Sequence, residues 1–412
     1  MIRVHRRPLR SIAAVLALGL LGAACGSSGG ASAKGKVKES TTTTTIAKGP
    51  DTTAAVLRSK LNGLLEEHVY LASAATGAAL GGRADEFTAA AAALDGNSNA
   101  LTGNMTAVFG DTTGKTFDGL WKKHVGFFVA YAQGLAAHDG AKSAQAVSDL
   151  TQYTRDFGAF VNSALPALPA DAVAGLVATH VQTLKAVVDA QAGGDETAAF
   201  TGQRAAAAHM ATIASGLTGA IAKAQPDKIG GDPASKAADL VTTLNGALRE
   251  HVFLACAATD AALGGRDPEF KAAAAALDAN SDDITAAIAG VYGPQAGTSF
   301  APLWKKHIGF LVDYTNAVAG KQQAKADEAM GNLLQYTEDF GAFINSASPK
   351  LTKDAVAQLV KTHVFTLKDV IDAQAAKNFT KAFTNERIAA DHMAMIANGL
   401  SATVVAQFPK QF

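Results

Sequence analysis

This chain repeats itself, and that limits what it can fold into more than any other feature. Leu61-Asn62-Gly63 returns as Leu244-Asn245-Gly246, and Trp121-Lys122-Lys123-His124 returns as Trp304-Lys305-Lys306-His307. Ala208-His209-Met210 recurs as Asp391-His392-Met393. The offset in numbering is constant, and no gap interrupts it from about Leu57 to Ile221. A shorter period lies beneath it. His68, His124 and His180 are evenly spaced, and His251, His307 and His363 repeat the same interval. Within each set little else matches beyond a Leu or Ala four places before the histidine and a Val or Ile after it. Such nested periods point to one supersecondary unit used several times over.

The unit is helical. Leu57, Leu61, Leu64, His68, Leu71 and Ala75 recur at helix spacing, and strand-like alternation is absent. Glycine and proline divide the first half into six predicted helices, at about 53–80, 84–109, 115–137, 141–164, 170–192 and 195–222. Gly81-Gly82 closes the first, Pro169 sits near the start of the fifth, and Gly193-Gly194-Asp195 separates the last two. Each histidine of the shorter series falls on the first helix of a hairpin. At one fixed distance further on, along the return helix, stand Asn97, Tyr153 and His209, matched by Asn280, Tyr336 and His392. The expected fold is all-α: two tandem homologous six-helix domains, 54–225 and 235–412, each of three α-hairpins. A Pro- and Gly-containing linker, 226–234, joins them.

Segment 1–24 reads as an export signal, with a basic stretch from Arg3 to Arg10, an apolar run from Ile12 to Leu21, then Gly22-Ala23-Ala24. Cys25 directly after these small residues resembles the bacterial lipobox, although Gly22 stands where that motif prefers Leu. The resemblance implies cleavage before Cys25 and lipid attachment to its sulfur. Segment 25–53, rich in Gly, Ser and Thr, has nothing to build a core and reads as a flexible tether. The expectation is a lipid-anchored protein of the bacterial envelope, held outside the cytoplasm, with the membrane and an envelope protein as its partners.

Without the signal, acidic residues slightly outnumber basic ones, a balance that argues against nucleic acid. Two cysteines, one of them Cys25, exclude a disulfide framework or a thiolate cluster. Cys256 reads as a small buried hydrophobe. No nucleophile elbow, phosphate-binding glycine loop or His-Glu-x-x-His is present, so catalysis ranks below binding.

What remains is histidine. His124 lies on the apolar stripe of Phe117, Leu120, Trp121, Phe128 and Tyr131, so it points inward. Burying one imidazole without a partner costs a few kcal/mol, and each half places four on such stripes. Three equivalent hairpins closed around an axis bring His68, His124 and His180 together, with His209 as a fourth. His251, His307, His363 and His392 do the same in the second half. An open stack of hairpins would leave them as a ladder. Convergent neutral imidazoles suit a transition metal, copper or zinc first. Asp95, Asn97, Tyr153 and Asp156, with Asp278, Asn280, Tyr336 and Asp339, are the expected outer groups. Two other readings stay open: a structural histidine network that only satisfies the core, and haem or metal-dependent redox chemistry.

Glu-His-Val-Tyr-Leu-Ala from Glu67, Leu-Trp-Lys-Lys-His-Val-Gly-Phe-Phe from Leu120, and the His-Met pairs resemble a group of secreted bacterial helical-repeat lipoproteins. The likeness covers both halves. It implies an envelope protein and assigns no chemistry to the histidines.

Overall fold

A computed structural model describes residues 47–412; the expected export signal, Cys25 and the expected tether up to residue 46 lie outside the described residues. The described chain contains twelve α-helices and no strand. The first half carries α1 (Thr53–Leu80), α2 (Ala84–Phe109), α3 (Asp111–Ala136), α4 (Gly140–Ala164), α5 (Ala170–Gly193) and α6 (Glu196–Ala224). The second half repeats them as α7 (Lys236–Leu263), α8 (Asp267–Tyr292), α9 (Pro294–Ala319), α10 (Gln323–Ala347), α11 (Lys353–Ala375) and α12 (Phe379–Gln407).

Local chemistry sets the ends. The Thr52 hydroxyl accepts from the Ala55 amide at the start of α1, and Ser235, its counterpart in the repeat, does the same for Ala238 at α7. Asp195 and Asn378 cap α6 and α12 alike. One boundary differs from expectation. The expected second and third helices, 84–109 and 115–137, leave 110–114 between them, yet α3 begins at Asp111 and the break is Gly110 alone. Gly110 takes φ 88° and its counterpart Gly293 φ 92°, a conformation only glycine adopts cheaply, so one residue turns the chain.

Each half is three antiparallel hairpins, α1–α2, α3–α4 and α5–α6, and α1 also packs against α6. That contact closes the ring and rules out the open stack. α1 and α7 are central: each touches the other helices around it in its own half, and they also touch each other. Residues 61 to 73 of α1 are buried without a break, where an amphipathic surface helix would show one stripe. The two sequence repeats therefore pack as one compact body over the described residues 47–412. The predicted tether also ends earlier than residue 53. The Asp232 amide donates to the Ala47 carbonyl (2.9 Å), the Ser235 hydroxyl to that of Lys48 (3.0 Å) and the Ala54 amide to that of Gly230 (3.0 Å). These bonds pin residues 47–54 onto the linker. α6 and α12 are long and apolar enough to cross a membrane by length and composition, and both are packed into this bundle.

Candidate metal centre

The first helices of the three hairpins, α1, α3 and α5, meet inside the ring. They bring His68, His124 and His180 together with one ring nitrogen of each within 4.8 Å of the others. His251, His307 and His363 form the same group on α7, α9 and α11. All six are buried. The closest approach is Nε2 to Nε2: 3.3 Å between His68 and His124, 3.4 Å between His251 and His307. Each triad is a group that can hold a metal ion.

Aromatic rings pack the imidazoles in place. Trp121 stands edge-on to His124 with centroids 4.5 Å apart and touches His68 at 4.8 Å. Tyr153, on the return helix α4, stacks on His124 at 4.8 Å and 20°. Trp304 and Tyr336 repeat the arrangement around His251 and His307. What the rings lack, among the described residues, is hydrogen-bond partners. There the Nδ1 atoms of His68, His124, His251 and His307 have none, and neither nitrogen of His180 or His363 has one.

Burial, then the neighbouring imidazoles, drives His68 and His251 well below the ordinary histidine range. Burial first also holds His124 at about 3, His180 at about 4, His307 at about 4 and His363 at about 3. At neutral pH all six are uncharged, the form in which imidazole is a ligand.

His209 and His392 do not join the triads. His209 Nε2 donates to the Leu176 carbonyl (3.0 Å) and His392 Nε2 to that of Leu359 (2.9 Å). Asn97, at the equivalent place in its hairpin, donates to the Leu64 carbonyl (2.9 Å), and Asn280 to that of Ala247 (3.0 Å). In all four cases the accepting carbonyl lies one helical turn before a triad histidine. These return-helix residues clamp the triad helices by the backbone, and in His209 and His392 that engages Nε2 away from the triad.

The expected outer groups divide as well. Tyr153, Tyr336, Asn97 and Asn280 are buried and near, while the four aspartates face water. Asp95 pairs with Lys122 and Asp278 with Lys305; Asp156 and Asp339 accept from the glutamines one turn earlier. Asp95 and Asp278 stand two places before the inward Asn, which sets them on the far side of the helix. Asp156 and Asp339, one turn beyond the inward Tyr, fall at the edge of its face and reach solvent.

Beside each triad is a small apolar cavity. That of the first half, about 60 Å³, is lined by His124, His180, Tyr153, Phe157 and Met210 among others. That of the second, about 40 Å³, includes His307, His363, Tyr336 and Met393. Both are far below the several hundred Å³ that a ligand of haem size fills. In the sequence Trp121 and Trp304 read only as core, although their position one turn before a histidine was the available sign that they wall the site.

Fold and site together define the class: a closed bundle of helical hairpins with a buried three-histidine centre in each half. Compared with known protein families, curated proteins and solved structures, the chain matches none.

Proposed function

We propose that this protein is an extracytoplasmic lipoprotein, anchored through Cys25, that binds a transition-metal ion, copper or zinc, at each histidine triad for capture, buffering or delivery. The observation that carries the reading is His180, matched by His363: a buried imidazole with both nitrogens unpartnered beside two more imidazoles. A buried polar atom without a partner costs about 1–3 kcal/mol, and each triad holds four of them. An ion bound through the three Nε2 atoms would partner the orphaned Nε2 of His180 or His363, while the Nδ1 atoms stay packed among the rings.

The spacing supports it. Metal–nitrogen bonds of about 2.0–2.1 Å in tetrahedral geometry set ligand nitrogens roughly 3.3–3.4 Å apart, close to the separation of the nearest pair in each half. The third imidazole has to move inward by about 1.5 Å at most to complete the set. Ligating histidines usually hand their other N–H to a carboxylate or carbonyl. Here packing against Trp121 and Tyr153 orients the rings instead, which suits an ion that must leave again.

A structural network is the second reading, because the short Nε2–Nε2 contact is also the length of an N–H···N hydrogen bond. Metal analysis of the full-length protein, purified without a histidine tag and equilibrated with zinc or copper, separates the two. The expected result is about two equivalents of one metal per chain, one in His124→Ala and none in His124→Ala/His307→Ala. No stoichiometric metal would leave the histidines as core.

A further inference from the structure

A third cavity, of about 180 Å³, lies between the two halves and away from both triads. Its walls come in pairs related by the sequence repeat: Tyr70 with Phe253, Glu86 with Glu269, Gln191 with Gln374, Phe200 with Phe383. Gln191 and Gln374 are fully engaged. Each accepts from a threonine (Thr76, Thr259) and donates to a carbonyl (Ser73, Cys256), so they are fixed wall.

Gln203 and its counterpart Glu386 are different. Both line the cavity, both are more than nine-tenths buried (7% and 8% exposed), and neither side chain has a hydrogen-bond or ion-pair partner among the described residues. An ionised carboxyl in such a place is costly without a cation, so alone it is held as the neutral acid and a bound cation would let it ionise.

Charge gives the sign of what is missing. Glu86 is answered by Arg83, while Asp260 and Glu269 share Arg266. Glu386 also lines the cavity without a cation, and Glu196 shares the same Arg83 and Arg266, which leaves five carboxyls against two guanidiniums. Burial pushes the Glu386 carboxyl well up, and its charged neighbours Asp260 and Glu67 push the same way. The duplicated halves have diverged at this wall. The second supplies Glu386, Asp260 and Cys256 where the first has Gln203, Gly77 and Ser73. The first half in turn supplies Glu196 where the second has Phe379, so carboxyls stand on both sides and the unmatched one opposite Gln203 is Glu386.

Shape and spacing give the class of ligand. The only groups of three acidic, histidine or cysteine side chains whose ligand atoms converge on one point, among the described residues, are the triads. The carboxyls of this cavity are too spread to cage a single metal ion. Aromatic rings of Phe200, Phe253 and Phe383 stand among them. Carboxylates spread around an aromatic-walled space of this volume suit a cation whose charge sits on a carbon frame.

We propose that the cavity between the halves is a binding site for a small organic ammonium ion, held by Glu386 with Gln203 facing it from the other half. Calorimetric titration of the full-length protein tests it. The probes are ethylammonium, choline and butane-1,4-diammonium, each run beside a neutral alcohol of the same size, with calcium as a further titrant. The expected result is saturable binding of at least one ammonium at one per chain, no binding of its neutral counterpart, and a loss of about ten- to a hundredfold in affinity in Glu386→Gln. That variant installs the side chain that the first half already carries at the matching place. Its fold is checked by circular dichroism, and zinc or copper uptake at the triads should be unchanged. A conservative Glu386→Asp should recover part of the affinity. Absence of binding by every ammonium, equal binding of the neutral alcohols, saturation by calcium instead, or full affinity in Glu386→Gln would each overturn the proposal.

Discussion

His180 shows in one residue how burial and protonation are tied. In the unfolded chain a histidine takes its proton near about pH 6.5, whereas in the fold His180 and His307 hold out to about 4 and His124 and His363 to about 3. Below about pH 6.5 the unfolded chain therefore binds more protons than the folded one, and stability falls as pH falls. The contribution is whole above pH 6.5 and drains away down to the folded values near 4 and 3. Glu66 and Glu386, pushed up by burial, pull the other way over part of this range. For the chelator-treated protein we therefore expect the urea midpoint to fall less between pH 7 and 4 in His180→Leu than in the parent. Parallel pH profiles for the two proteins would contradict a neutral buried His180. The same residue explains the division of labour along a hairpin. The first helix turns its imidazole into the ring, and the return helix spends an Asn or His on the carbonyl one turn earlier.

Between elements, glycine decides how closely hairpins can cross. Gly158 on α4 faces the start of α5, where a Cβ would collide with the Ala170 carbonyl oxygen. Its counterpart Gly341 on α10 would put a Cβ 2.5 Å from the carbonyl oxygen of Lys353, the first residue of α11. Backbone cannot yield as a flexible side chain can. Gly341→Ala should cost about 1–3 kcal/mol, read from the shift in chemical denaturation. Gly175→Ala, exposed within α5 with nothing in the way of a Cβ, should instead gain up to about 1 kcal/mol. Loss of stability at both positions would mean that helix propensity and crossing distance have been misjudged. The crossing matters to the site, because α5 and α11 carry the third histidine of each triad and their distance from the ring axis sets whether it can close on an ion.

At the scale of the molecule, the halves are joined by ion pairs centred on the buried Glu67 and Arg249 and reaching out to the surface. Arg249 on α7 bonds Glu67 of α1 and Asp391 of α12, each at 2.8 Å, and Arg387 of α12 also reaches Glu67. Arg204 of α6 crosses to Glu250 (3.0 Å) and Asp283 (2.6 Å), and the Tyr70 hydroxyl donates to Glu250 (2.7 Å). Glu67 is only 1% exposed, so removing its partners leaves charge where water cannot reach it. Arg249→Ala leaves Arg387 on Glu67, so the full cost of about 3–5 kcal/mol is expected of the double variant Arg249→Ala/Arg387→Ala. In a calorimeter the single transition expected of the intact protein should move down or split in two as the halves uncouple. An unaltered melting profile would show that the halves fold without leaning on this network. The same interface encloses the cavity assigned to an ammonium ion, so its network and its ligand should stabilise each other.

Much of this architecture was legible in the sequence because helix formation and repetition are local properties. The helical pattern from Leu57 to Ala75, the glycine joints and the two nested periods determined the helices, their pairing into hairpins and the inward face of six histidines. Only the tertiary structure decided what those faces meet. Closure of α1 onto α6 turned three equivalent positions into one cluster. His209 looked like a fourth ligand because it shares a helix pattern with the others, and lost that role because its nitrogen lies within bonding distance of the Leu176 carbonyl. Glu67 points away from the histidine face of its helix, and it became a buried link to Arg249 because α1 and α7 are covered on every side. Spacing along a chain fixes direction around one helix axis; distance between side chains on different helices depends on how the helices pack, and packing is a property of the whole molecule.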